Sequence, residues 1–65
     1  MQKYFVVYFY KFRNHRFGIG NIFLEVSEPL EKESVIREVE KTVKEKNRFE
    51  ACAVVNFFKV DDTDG

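Results

Sequence analysis

The sequence predicts an α+β fold of ββαβ order, in which a three-stranded mixed sheet carries one helix packed on one face. Two long segments rich in aromatic and β-branched residues flank a short polar stretch, which is typical of a hairpin. A charged segment with apolar residues at helical spacing follows, and the last apolar run again has the composition of a strand. The 65 residues allow a single domain over 1–65 and exclude two-domain enzymes and three-layer nucleotide folds.

The first strand, Lys3 to Phe12, is apolar on both faces, which is typical of a strand in the middle of a sheet. Hydrophobicity alone leaves open which face of this strand the helix covers. Because a phenol ring can be buried while its hydroxyl stays in water, we favour the phenylalanines under the helix and the tyrosines facing outward. Because successive side chains point to opposite sides, the two faces are Tyr4, Val6, Tyr8, Tyr10 and Phe12 on one, and Phe5, Val7 and Phe9 on the other.

The polar residues 13–16 connect this strand to a return strand, Phe17 to Val26. Glycines inside a strand mark a bulge, a bend or a place where an opposing side chain needs room, and large aromatic residues lie across this hairpin. A packing role therefore explains both glycines. The face that we expect to look inward consists of Gly18, Gly20, Ile22, Leu24 and Val26.

A helix from Glu31 to about Asn47 is predicted next, with Ser27 as its cap and Pro29 near its first turn. One narrow apolar stripe, formed by Val35, Ile36, Val39 and Val43, should face the sheet. Three oppositely charged pairs stand four residues apart and predict a solvated outer surface: Glu33 with Arg37, Glu40 with Lys44, and Lys41 with Glu45.

The last strand begins at Phe49 or Ala51 and ends at Val60, and residues 61–65 form a flexible acidic tail. Strict alternation places Ala53, Val55 and Phe57 on one face and Cys52, Val54, Phe58 and Val60 on the other. A right-handed crossover through the helix makes the second and third strands parallel and leaves a slot between them for the first strand. The predicted strand order is therefore 2-1-3.

Eleven basic and eleven acidic residues give a formal net charge of zero, which removes the long-range attraction expected of a dedicated nucleic-acid binder. The single cysteine, Cys52, lies in an apolar run and is expected to be a reduced, small hydrophobic residue. The longest apolar stretch, Tyr4 to Tyr10, is too short to cross a bilayer and lacks the features of a signal peptide, so we expect a cytoplasmic protein without membrane contact.

No residue pattern indicates catalysis, a cofactor, a metal or a small-molecule substrate, so we predict that the protein is not an enzyme. His15 lies at a hairpin tip with no nucleophile or carboxylate fixed near it. The glycines of Gly18-Ile19-Gly20 lie inside a strand and lack the third glycine of a dinucleotide fingerprint. A metal site would need more ligands than Cys52.

The order Tyr4-Phe5-Val6-Val7-Tyr8, then Phe17-Gly18-Ile19-Gly20-Asn21, then a charged helix and an apolar strand, resembles small uncharacterised open reading frames of bacterial genomes and prophages. The resemblance covers most of the chain. It implies a cytoplasmic accessory protein and is compatible with a phage origin, and it assigns no functional residue.

One helix covers one face of the sheet, so the other, aromatic face should be exposed and available to a partner. We expect a homodimer, joined face to face or edge to edge, or a protein partner that binds the aromatic face or an exposed strand edge. Tyr4, Tyr8 and Tyr10 would be the anchors, with Arg13 and Arg16 as rim charges.

The alternative is a single-stranded nucleic-acid binder that stacks bases on the same tyrosines beside a basic hairpin. Residues 1–24 contain no acidic residue, and Lys11, Arg13, His15 and Arg16 would contact the backbone of the nucleic acid. The two hypotheses differ in salt dependence, because counterion release weakens nucleic-acid binding steeply as salt increases.

Overall fold

The computed structural model describes residues 1–60, so the predicted acidic tail at 61–65 lies outside the described residues. The elements are β1 (Gln2–Lys11), β2 (Phe17–Val26), α1 (Glu33–Asn47) and β3 (Ala51–Lys59). The predicted α+β class and the ββαβ order are confirmed.

The three strands form one sheet in the order β2-β1-β3, as predicted, but the sheet is not mixed. β1 pairs antiparallel with β2 on one side and with β3 on the other. The strands β2 and β3 do run in the same direction, but β1 lies between them and runs opposite to both. Every ladder in the sheet is therefore antiparallel.

The core lies between α1 and the tyrosine side of β1, so the expectation that the phenylalanines lie under the helix is wrong. Tyr4 and Val6 are only 1% and 0% exposed, and they pack with Leu30, Val39 and Val43. The Tyr4 hydroxyl accepts a hydrogen bond from the Leu30 N–H at 3.2 Å. Because a buried backbone donor satisfies this hydroxyl, the phenol does not need water.

The two glycines of β2 make room for tyrosine rings, as predicted. Gly18 and Gly20 pair with Tyr10 and Tyr8 in the β1–β2 register. A Cβ built on Gly20 would lie 2.8 Å from the Tyr8 ring, and one built on Gly18 would lie 2.9 Å from the Tyr10 ring. The glycines and the tyrosines therefore share the helix side of the sheet.

The hairpin and the end of the helix each use one residue in the left-handed conformation. In the hairpin, His15 has φ 72°, and the Phe12 N–H donates to the Arg16 carbonyl at 2.7 Å. At the end of α1, Arg48 has φ 60°, which turns Phe49 back onto Tyr10, where the two rings stack at 4.5 Å. Both residues are single left-handed positions of the kind that end helices and close hairpins.

The start of α1 differs from the prediction. The helix begins at Glu33 after Lys32, without a side-chain cap, so the assignment of Ser27 as the cap is wrong. A turn closed by the Lys32 N–H and the Pro29 carbonyl, at 3.2 Å, precedes the helix. This turn places Leu30 in the core, and the helix therefore begins two residues later than predicted.

The predicted apolar stripe and one of the predicted ion pairs are found on α1. Val39 and Val43 are buried, with Val35 and Ile36 packed beside them. On the outer side, Arg37 donates to the Glu33 carboxylate at 3.0 Å.

A β-bulge in β3 changes which of its residues share a face. Val7 pairs with Asn56 and Tyr8 pairs with Val54, so Val55 is an extra residue between them. Phe57 therefore lies opposite Val6 on the helix side, and the prediction that it shares a face with Ala53 is wrong. Strict alternation fails here because the bulge shifts the period by one residue.

Candidate interaction surface

The sheet face turned away from α1 carries most of the phenylalanines of the protein, and we call it the phenylalanine face. On the described residues 1–60 no element covers this face. Phe17, Ile19, Phe23 and Phe58 are between 55% and 69% exposed. The members of the face are Phe5, Val7 and Phe9 of β1, Phe17, Ile19 and Phe23 of β2, and Phe58 of β3.

The strand register arranges this face in rows that run across the sheet. One row is Phe23, Phe5 and Phe58, in which the Phe5 ring centroid lies 4.9 Å from that of Phe23 and 6.5 Å from that of Phe58. At the hairpin end, the Phe9 and Phe17 centroids lie 5.9 Å apart. These distances are typical of aromatic pairs that hold one another in place.

A polar row separates the two aromatic groups. Asn21 and Asn56 lie on either side of Val7 in the middle of the face. The amide of Asn56 is already engaged, since its Oδ1 accepts a hydrogen bond from the Phe57 N–H at 2.9 Å. The face is thus apolar at both ends and has hydrogen-bonding groups at its centre.

The exposed area of the phenylalanine face is large for a chain of this size. With roughly 150–250 Å² for each large side chain, the four most exposed members present on the order of 500 Å². The largest apolar patch on a typical soluble monomer is about 300–600 Å² and is often functional. The face therefore lies near the upper end of what a monomer leaves uncovered.

Few charges border this surface, and most of them are balanced. Lys3 lies opposite Glu25 in the ladder between β1 and β2. At the other end, the Lys11 Nζ lies 3.8 Å from the Glu50 carboxylate. Arg13 and Arg16 are exposed in the hairpin, beyond the strands, and their role as rim charges stays a prediction.

The predicted anchors do not lie on this face. Tyr4 is buried, so its expected role as an exposed anchor is wrong. Tyr8 and Tyr10 lie half-buried on the helix side, where Tyr10 stacks on Phe49. An exposed aromatic face exists as expected, but phenylalanines form it. The hairpin register was the signal that could have found them, because it pairs the tyrosines with the inward-facing glycines of β2.

Besides the phenylalanine face, the described residues form a groove between β2 and α1, with a volume of about 690 Å³. Its floor and wall are apolar and are formed by Ile22, Leu24 and Val26 of β2 and by Val35, Val39 and Val43 of α1. Glu28 and Glu38 are also among the residues that line it. The groove exists because the backbone of α1 lies nearest β3 and leaves β2 largely uncovered.

Two groups that could carry chemistry, the Cys52 thiol and the His15 imidazole, lie on different segments of the described residues, one in β3 and one in the hairpin. Burial raises the pKa of the Cys52 thiol, and the negative charge of Glu40 adds to this rise, so the thiol stays protonated at neutral pH. His15 is exposed at the hairpin tip. Among residues 1–60, no three His, Cys, Asp or Glu side chains come together in a way that could hold a metal ion.

Comparisons with known proteins add no assignment to this geometry. The chain matches no protein-family model, no curated protein and no solved structure. Over the part of the chain that the structure describes, no helix has the length and apolar character needed to cross a membrane.

Proposed function

We propose that this protein is a small, non-catalytic interaction module that binds another protein surface, either a second copy or a different chain, through the phenylalanine face. The observation that supports the proposal is the set of exposed rings on a sheet face that α1 leaves uncovered, as does every other element of residues 1–60. Aromatic side chains are enriched at the centres of protein interfaces because they bury a large area at a small cost in conformational entropy.

The layout of the face supports a protein partner. Its apolar groups contain no charged residue between the Lys3–Glu25 pair at one end and Lys11 at the other. A partner would therefore bury rings and two asparagine amides without desolvating an isolated charge, which is the costly step in forming an interface. The proposal includes a cytoplasmic location, where Cys52 would remain reduced.

A single-stranded nucleic acid is the second candidate, and one observation favours it. The exposed rings lie on a sheet that ends at a hairpin with Arg13, His15 and Arg16, all of them exposed. Bases that stack on such rings contribute roughly 1–3 kcal/mol each. Against this candidate, the chain has zero net charge, and the amine of Lys11 is close to a carboxylate.

Salt dependence separates the two candidates in one set of measurements. We would measure the solution mass by light scattering over a concentration series, and the binding of a fluorescent oligothymidine by anisotropy, both between about 50 and 200 mM salt. Where the face binds a second copy, the proposal expects self-association that salt barely changes and that Phe58→Ser weakens. It also expects little binding of the oligonucleotide.

Two variants make this comparison decisive. Phe58→Ser removes an exposed ring, whereas Arg13→Ala with Arg16→Ala removes two exposed charges and leaves every ring in place. The proposal expects only the ring variant to reduce association. Oligonucleotide binding that falls steeply with salt and is lost in the arginine variant would overturn it in favour of the nucleic-acid function.

A further inference from the structure

Within residues 1–60 the two edges of the sheet differ, and only the β3 edge is guarded, that is, protected against pairing with a further strand. At the β3 edge, the bulge at Val55 interrupts the ladder between Val54 and Asn56. The Val54 N–H, which points away from β1, donates to the Glu40 carboxylate of α1 at 2.8 Å. Bulges and inward-reaching charged side chains are the devices by which soluble proteins prevent another strand from pairing at an edge.

The β2 edge has neither device within the described residues. All ten residues of β2 pair one to one with β1, from Phe17 opposite Lys11 to Val26 opposite Gln2, without a register shift. The strand contains no proline, and between Phe17 and Leu24 it has no ionisable side chain. Because α1 lies nearest β3, the groove rather than the helix borders β2 on the core side.

The hydrogen bonds of β1 show which backbone groups of β2 are free. The carbonyls of Lys3 and Lys11 accept from Val60 and Glu50, so the odd-numbered residues of β1 point their backbone groups toward β3. Even-numbered residues of β1 therefore bond to β2, and their partners in β2 are also even-numbered. The N–H and C=O groups of Ile19, Asn21 and Phe23 consequently point outward from the sheet.

We propose that β2 is a strand-pairing edge whose occupant is the β2 strand of a second copy of this chain, antiparallel about a two-fold axis at Asn21. Pairing must join odd residues to odd residues, since only these have free backbone groups. With Asn21 opposite Asn21 of the second copy, nine residues pair, and Ile19 lies beside Phe23 of the second copy. Shifting the axis to Ile22 also pairs nine residues but places Ile19 beside a glutamate, Glu25, instead.

This pairing extends the proposed function rather than repeating it. A two-fold axis perpendicular to the sheet keeps the same face of both copies on the same side. The dimer would be a six-stranded sheet whose two phenylalanine faces form one surface of about twice the area, still open to a partner. Edge pairing and binding at the phenylalanine face are therefore separate interactions, and an experiment can disprove either one without the other.

Cysteine cross-linking tests the edge directly. In a Cys52→Ala background, Asn21→Cys places two thiols at the two-fold axis, where paired residues have Cα atoms about 5.5 Å apart. That separation lies within the range of about 4.4–6.8 Å that a disulfide spans. We expect oxidised glutathione to convert most of this variant into a covalent dimer that reducing agent reverses.

Asn56→Cys in the same background is the matched control. Asn56 lies in the same row of the same face as Asn21, but on the guarded strand β3. Copies packed face to face would separate their sheets by about 10 Å, too far for a disulfide at either position. Cross-linking of Asn21→Cys alone supports edge pairing, whereas equal cross-linking of both variants, or none in either, overturns it.

Amide hydrogen exchange on the unmodified chain gives a second, independent readout. Edge pairing predicts that the amides of Ile19, Asn21 and Phe23 become protected as protein concentration increases, while those of Gly20 and Ile22 are protected at every concentration. Protection of the odd amides that does not depend on concentration, or its absence at concentrations where light scattering shows a dimer, would refute the pairing. Phe58→Ser should leave this pattern unchanged, even if it abolishes binding at the phenylalanine face.

Discussion

Adjacent valines on β1 provide the sharpest test of which sheet face is the core. Val6 is fully buried on the tyrosine side, between the sheet and α1. Val7 lies on the phenylalanine face between Asn21 and Asn56. The substitutions Val6→Asp and Val7→Asp change the same side chain in the same strand, so differences in intrinsic strand propensity cancel.

The expected magnitudes differ enough to be measured. Val6→Asp gives up about 1.5–3 kcal/mol of apolar burial and leaves an uncompensated charge that costs a further 3–5 kcal/mol or so. At roughly 0.05–0.15 kcal/mol per residue, a chain of this length has about 3–10 kcal/mol of stability in total. Val6→Asp should therefore unfold the protein or nearly so. Val7→Asp places its carboxylate at a solvated surface and should cost about 1 kcal/mol.

Urea denaturation followed by circular dichroism measures both free energies, and amide NMR spectra show whether each variant is folded. We expect a dispersed spectrum for Val7→Asp and a collapsed one for Val6→Asp. A folded Val6→Asp beside an unfolded Val7→Asp would show that the helix covers the phenylalanines. Equal loss in both variants would contradict the one-sided core. Val7→Asp should also weaken association at the phenylalanine face.

Three further substitutions test other parts of the core. Tyr4→Phe should cost about 1–3 kcal/mol in urea denaturation, because the buried Leu30 N–H loses its acceptor; an unchanged midpoint would mean that this hydrogen bond adds nothing. Gly20→Ala should destabilise by about 1–3 kcal/mol because its Cβ meets the Tyr8 ring, and the loss should shrink in a Tyr8→Leu background. Val39→Asp should unfold the domain, and a folded, soluble variant would show that another face of α1 packs on the sheet.

The periodicity of apolar residues was sufficient to predict the strands and the helix, and to predict most of the faces that they bury. The inward face of β2, the apolar stripe of α1 and the 2-1-3 order all follow from the spacing of apolar residues and from the crossover connection through the helix. The role of the glycines followed from the large residues opposite them. These features depend on residues that are close together in the sequence, or on the one connection between β2 and β3. A single sequence therefore determines them.

The predictions that proved wrong concern segments where two interpretations had the same periodicity of apolar residues. β1 is apolar on both sides, and hydrophobicity alone does not say which side the helix covers. The register does: Tyr8 and Tyr10 pair with glycines that the sequence already placed inward. The expectation of exposed tyrosines relied instead on the need of a phenol for water, which the Leu30 N–H removes for Tyr4. The bulge at Val55 likewise has no local signal in the sequence.

The sequence by itself determined that this protein has one helix on one side of a three-stranded sheet and therefore one uncovered aromatic face. That conclusion follows from counting, since a single helix cannot cover both sides of a sheet whose central strand is apolar on both. Only the tertiary structure decided that the uncovered residues are phenylalanines and that β2, rather than β3, is the open edge. Both depend on contacts between distant segments, Leu30 with Tyr4 and Glu40 with Val54, which no local pattern specifies.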